Sequence, residues 1–373
     1  MELEKGVILK GKFEITEKIG TGSLKETIYH GKHLELDTDI VIRVLPSTSN
    51  SDDEVRKRFF QGIKLAATIQ HPNIVSVLDA GEEDDRVFFV TNYHKGFYLN
   101  EYLDQRGQLD EAEGIRLIKE LADALEYAWD EQNIVHRNIC PNTILIAKGN
   151  IPMLTDFGLA KSLQMDSKLT MQGYTVGSPE YMSPEQTKGD QVDFRSDIYC
   201  LGLVLYQLFA GNPPFQSKSL IELMQLQISQ PHKPIQAVND LISDSCSAVM
   251  DKMLAKDIKK RYQSWQAVIK DLDAVLNSSM PSVLNAEKRK IKQQAKRETE
   301  EKISKKYRNE MEKVKMALEK EAKGKFKRNI IIVTVIINLI LLGMFIYYMN
   351  NKKAKSTSIK PKLPVNILHN SIL

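Results

Sequence analysis

The chain is 373 residues long, with 42% hydrophobic and 27% charged residues, an ordinary globular composition with length enough for a sizeable core. Its net charge of +4 is unevenly placed: residues 285–328 hold 17 Lys/Arg against 8 Asp/Glu, the stretch after residue 349 holds five lysines and no acid, and residues 1–284 are therefore acidic. A nucleic-acid module carries its basic face on the folded part, so that class is set aside; Cys140, Cys200 and Cys246 show no CxxC or CxxH spacing, which sets aside a disulfide framework or zinc site and fits a reducing compartment.

The start, MELEKGVILKGKF, lacks a basic stretch followed by an apolar core, so no cleavable signal peptide is expected. From about residue 11 to 95 short alternating runs such as KFEITEKIG, DIVIRVLP and RVFFVTNY predict antiparallel strands, with one helical stretch over 53–70. From about 99 to 277 apolar residues recur at helical spacing, as in EAEGIRLIKELADALEYAWDEQ, and helices are expected to dominate. A small β-rich lobe followed by a larger helical lobe is an α+β arrangement.

Residues 285–328 contain no proline, and Ile291, Ala295, Ile303, Tyr307, Met311, Val314 and Leu318 recur along them. A charged helix is expected, and its thin, drifting stripe fits a solvated stalk as well as a dimeric coiled coil. Residues 330–349, IIIVTVIINLILLGMFIYYM, match a hydrocarbon core of about 30 Å and predict one transmembrane helix. Basic residues flank it on both sides, from Lys323 to Arg328 and from Lys352 to Lys355, which suits an anionic membrane surface. The expected arrangement is a single-pass membrane protein with the folded domain cytoplasmic, 285–328 as a juxtamembrane stalk, and 350–373 as a short tail outside. Dimerisation through 285–328 and the membrane helix is compatible with this pattern.

Several motifs recur in a fixed order: His136-Arg137-Asn138, Asp156-Phe157-Gly158, GSPEYMSPEQ at 177–186, SDIYCLG at 196–202 and KDIKKRYQS at 256–264. Through them the chain resembles the protein-kinase superfamily, most closely the bacterial serine/threonine kinases of eukaryotic type. The resemblance covers residues 11–277, with a small lobe about 11–95 and a large lobe about 96–277. It implies a buried ion pair between Glu185 and Arg261, a catalytic-loop anchor at Asp197, and a stacked spine containing His136 and Phe157.

The parts that position and neutralise a transferring phosphoryl group depart from the family pattern. The glycine-rich loop reads Gly20-Thr21-Gly22-Ser23-Leu24-Lys25-Glu26-Thr27, with Lys25 in place of the third glycine. On the third family strand Val41 replaces the alanine beside adenine, and Arg43 replaces the lysine, with a different head-group geometry. The glutamate that pairs with that lysine falls on Gly62 by the HPNIV anchor at 71–75, which is expected to leave Arg43 without its usual orienting partner. Asn138 replaces the catalytic aspartate, and a neutral amide cannot supply the general-base contribution of about 10²–10⁴ in rate. Cys140 replaces the phosphate-steadying lysine, and Thr143 replaces the asparagine of the second Mg²⁺, leaving Asp156 as the surviving metal ligand. The resemblance places Gly20, Gly22, Lys25, Val41, Asn92, His94 and Leu145 at the nucleotide.

Together these changes predict a membrane-anchored pseudokinase that acts as a binding or scaffolding module. ATP or ADP with Mg²⁺ would bind weakly, and the partners would be the membrane and a cytoplasmic protein or kinase client. The alternative is an active serine/threonine kinase that uses Lys25 and Asp156, because a lysine at the third glycine position resembles the arrangement of the "with-no-lysine" kinases.

Overall fold

The computed structural model of the chain describes residues 2–22, 26–45, 60, 62–84, 86–157 and 178–284, together with separate helical positions between 294 and 316 and between 336 and 347. It divides into two compact units, residues 1–289 and 290–373.

The first unit begins with a six-stranded antiparallel sheet: β1 Ile8–Leu9, β2 Phe13–Thr21, β3 Thr27–His33, β4 Thr38–Val44, β5 Val77–Glu83 and β6 Arg86–Asn92, in the order β1-β2-β3-β4-β6-β5. Period-two side-chain alternation splits its apolar residues between two faces. Phe88 and Val90 pack with Phe13, Ile15, Tyr29, Ile40 and Ile42 on one face, while Val87 and Phe89 pack with Leu45 and Ile63 on the other. Residues 62–66 are helical, and residues 67–70 at the end of the expected 53–70 helix are not; residues 53–59 and 61 of that stretch lie outside the described residues.

The second part is built from α1 Leu99–Arg106, α2 Glu111–Gln132, α3 Pro184–Lys188, α4 Phe194–Ala210, α5 Leu220–Ser229, α6 Asp244–Met253 and α7 Trp265–Leu276. Local chemistry sets the helix ends. Asp110 caps α2 by accepting from the Glu113 amide at 2.8 Å, and Asn133 ends it in the left-handed region at φ 53°. The helix α4 is buried almost all round, so it is the axis on which the other helices pack. A second sheet, β7 Gly96–Tyr98, β8 Ile144–Ala147 and β9 Ile151–Leu154, runs antiparallel in the order β7-β8-β9. It lies within the stretch read as mostly helical, and it carries the cleft-facing residues of this part.

In the second unit, the described positions between 294 and 316 and the stretch 336–344 are helical and exposed. Among the described residues no helix is long and apolar enough to cross a membrane, because 336–344 is far short of the roughly 20 residues that a bilayer core requires. The rest of the expected span, residues 330–335, 345–346 and 348–349, lies outside the described residues, as does the tail 350–373.

Candidate active site

The loop carrying Asn138 is held from below by α4. Asp197, near the start of that helix, accepts from the backbone amides of His136 at 2.7 Å and Arg137 at 2.8 Å. Burial pushes the Asp197 carboxyl up to about 7 against the opposing pull of those two amides. His136 is fully buried, with its Nε2 2.8 Å from the Thr155 carbonyl and its ring edge-on to Phe157 at 4.6 Å. The backbone N–H of Asn138 donates to His136 Nδ1 at 3.3 Å, so Nε2 carries the proton. Burial lowers the His136 pKa to about 4 and keeps the ring neutral.

The substituted residues of this loop satisfy one another. Thr143 is fully buried; its hydroxyl donates to the Asn138 carbonyl at 2.7 Å and accepts from the Cys140 amide at 3.2 Å. The Cys140 thiol is buried and lies 3.7 Å from both Thr143 Oγ1 and Ser178 Oγ. Burial pushes its pKa up, so it is a packed neutral thiol.

The strongest charge constellation sits on β4. Arg43 is 4% exposed and Glu26 1% exposed. Arg43 Nη1 donates to Glu26 Oε1 at 2.9 Å, and Nη2 donates to the Tyr98 hydroxyl at 3.3 Å. Arg43 Nη1 also ion-pairs with Asp156 Oδ1, by proximity and outside hydrogen-bond alignment. Burial alone would lower the Arg43 pKa, but Asp156, Tyr98 and Glu26 outweigh it and the guanidinium stays charged. Gly22 makes this packing fit, since a Cβ there would lie 1.9 Å from Glu26 Oε1.

The expectation that Gly62 leaves Arg43 unoriented is corrected. Gly62 is a buried helical position, but the counter-charge comes from Glu26, at the end of the glycine-rich loop. The pairing of Ile28 with Arg43 brings Glu26 alongside, and that register was not read from the sequence. Tyr98 was also missed, and no local sequence signal marks it. Lys25, with Ser23 and Leu24, lies outside the described residues.

Next to this charged set is a cavity of about 270 Å³. Val41 on β4, Leu145 on β8 and Ile19 on β2 give it apolar surface, and Asn92, His94, Arg43 and Asp156 add polar and charged groups to its lining. Burial lowers the His94 pKa. Gly20 on β2 has open space where a Cβ would sit. Gly20, Gly22, Asn138 and Thr143 do not line the cavity, whereas Val41, Asn92, His94, Leu145, Arg43 and Asp156 meet there.

Residues 13–272 match the family described as "Protein kinase domain". The chain belongs to the protein kinase family. It is 32% identical over 274 residues to the serine/threonine-protein kinase PrkC of Bacillus subtilis, covering 73% of this chain and 42% of that protein. It is 31% identical over 278 residues to PknB of Mycobacterium tuberculosis, covering 73% and 44%. The chain thus spans about two-fifths of the length of these curated relatives. Among solved structures, the PknI kinase domain of Mycobacterium tuberculosis superposes with a TM-score of 0.59 at 25% identity, covering 73% of this chain and 99% of that one.

Kinases use ATP with Mg²⁺, and the residues here fit the two halves of that ligand unequally. The walls between Val41 and Leu145 suit a flat heterocycle. The metal end keeps one candidate ligand, since Asp156 Oδ1 is buried beside Arg43 without a hydrogen bond, whereas the Thr143 hydroxyl is spent on the Asn138 carbonyl and position 138 carries an amide. Among the described residues no group of three or more His, Cys, Asp or Glu side chains converges on a metal-sized site.

Proposed function

We propose that this kinase domain is a pseudokinase, a binding or scaffolding module in which phosphotransfer is lost or severely impaired. The observation that carries the reading is the buried set of Arg43, Glu26 and Asp156. It places a buried arginine, ion-paired to two carboxylates, where the family holds phosphate and metal. The loss of the base at Asn138 and the internal use of Thr143 point the same way, because phosphoryl transfer depends on positioning and charge neutralisation. Maintained scaffolding, such as the Glu185–Arg261 pair, is compatible with either outcome, since a fold does not fix a function.

The second reading is an active serine/threonine kinase. The relatives, which are named as serine/threonine-protein kinases, favour it more directly than they favour the first. Transfer of labelled γ-phosphate from ATP to the chain itself and to a generic basic protein separates the two. The pseudokinase reading expects background counts from the full chain, and sustained transfer overturns it.

We also propose that residues 330–349 anchor the domain in a membrane with 285–328 as a basic stalk, and that the domain binds a cytoplasmic protein client. The charge-free run and its lysine-rich flanks support the anchoring.

A further inference from the structure

Two kinds of contact join the small lobe to the large one. Beside β9 the join is backbone: the Leu154 amide donates to the Asn73 carbonyl at 2.8 Å, and the Val75 amide donates to the Leu154 carbonyl at 2.9 Å. In the lining of the cavity it is made by side chains, where Arg43 of β4 meets Tyr98 and Asp156. Backbone pairing beside a chain connection suits a hinge, whereas a side-chain bond that spans the two lobes can break and re-form as they move.

Tyr98 is placed to make that bond. It ends β7, where it lies opposite Leu145 of β8. Directly opposed residues of an antiparallel pair share a face, and both residues line the cavity. The Tyr98 backbone is fixed at the start of α1, where its amide donates to Glu101 Oε2 at 3.2 Å. Its hydroxyl accepts from Arg43 Nη2 at 3.3 Å, and burial pushes the phenol pKa up, which keeps the hydroxyl neutral. Arg43 is held at its own end through Nη1 and Glu26. A charge-assisted bond between two ends already fixed loses little side-chain freedom when it forms.

We infer that the Tyr98–Arg43 bond is a latch between the lobes, which holds them in one arrangement with no ligand present. A latched domain presents the surfaces of its two lobes in a fixed relation, whether or not it transfers phosphate.

The test is a distance measurement between spin labels on the full chain in detergent. Cys140, Cys200 and Cys246 are buried, so the labels go to Leu36→Cys on the small lobe and Leu241→Cys on the large one, at positions 65% and 86% exposed. The labelled chain with Tyr98 and Arg43 intact is expected to give one narrow distance distribution. Tyr98→Phe keeps the ring and removes only the hydroxyl, whereas Arg43→Lys keeps the charge and removes Nη2. Each is expected to broaden the distribution and to raise the open fraction about tenfold or more. Adding Tyr98→Phe to Arg43→Lys is expected to change nothing further, because the bond is already gone. A distribution that stays narrow in Tyr98→Phe overturns the inference by itself, whatever Arg43→Lys does to folding. So does a double variant in which the two effects add, since each residue would then act separately. Sustained phosphotransfer by the same chain would overturn the pseudokinase reading and leave the latch standing.

Discussion

Arg43 shows how one substitution is absorbed by its neighbours. Its planar fork reaches Glu26 with one nitrogen and Tyr98 with the other, which the point charge of a lysine would not do. Removing it takes a shared counter-charge from the buried Glu26 and Asp156 carboxylates, so Arg43→Met is expected to cost about 3–5 kcal/mol of stability. The double variant Arg43→Met, Glu26→Gln should recover part of that, because only Asp156 then remains charged. Urea melts of the single and double variants check this; equal loss in both would mean that Glu26 is not the coupled partner. At the catalytic loop, Asn138→Asp alone is expected to leave phosphotransfer at background, since restoring the base does not free Asp156 from Arg43 or Thr143 from the loop backbone. Radiolabel transfer by wild-type and variant side by side measures it, and robust transfer by the variant would show that the metal end opens readily. Asn138, Cys140 and Thr143 were legible as departures because the motif residues around them hold their register. What they do instead was not, because Thr143 finds its acceptor five residues back through a turn.

Among the elements, the tie between α3 and the segment before α7 was legible from SPE and the arginine in KDIKKRYQS. Arg261 meets Glu185 in a two-pronged bridge, Nη1 to Oε1 at 2.5 Å and Nη2 to Oε2 at 2.7 Å, and Ser196 on α4 donates to the same carboxylate. Burial pushes the Glu185 carboxyl up, but Arg261 and Ser196 outweigh it and hold it below the usual glutamate value of 4.5. A depressed folded-state value means that this stability is present above pH 4.5 and is lost as pH falls through the lower folded value. Glu185→Gln is expected to lower stability by about 3–5 kcal/mol at neutral pH, because it leaves a buried guanidinium short of its counter-charge. The wild-type melting temperature should fall more steeply between about pH 5 and pH 3 than that of Glu185→Gln, followed by circular dichroism. Parallel slopes would mean that Glu185 does not carry the acid sensitivity. The strands of the large lobe, β7 to β9, were hidden in the sequence because they are three or four residues long, too short for a period-two pattern to stand out.

At the scale of the whole molecule, the first unit has its own core and the second begins near residue 290. The full chain is expected to stay with membranes through a high-salt wash and to leave them in detergent, because the run at 330–349 carries no charge and its attachment would be apolar. Release by salt alone would show that the lysine-rich flanks act without a span. Residues 1–289 alone are expected in the soluble fraction.

By itself, the amino-acid order determined the two-lobed layout, the anchoring residues Asp197, Glu185 and Arg261, and the substitutions at the catalytic positions. The layout rests on periodicity, and the anchoring residues and substitutions rest on the resemblance of short motifs, each a few residues long, to the family pattern. Only the tertiary structure decided where the charge of Arg43 goes. Glu26 and Arg43 are neighbours because β3 and β4 pair in one register, and Tyr98 and Asp156 reach the same guanidinium from the large-lobe segments that close the cleft. Such partnerships join residues 17 and 55 positions apart. Local sequence encodes strand and helix preference, whereas pairing of buried charges is settled when the lobes pack and each desolvated group needs a counter-charge within reach.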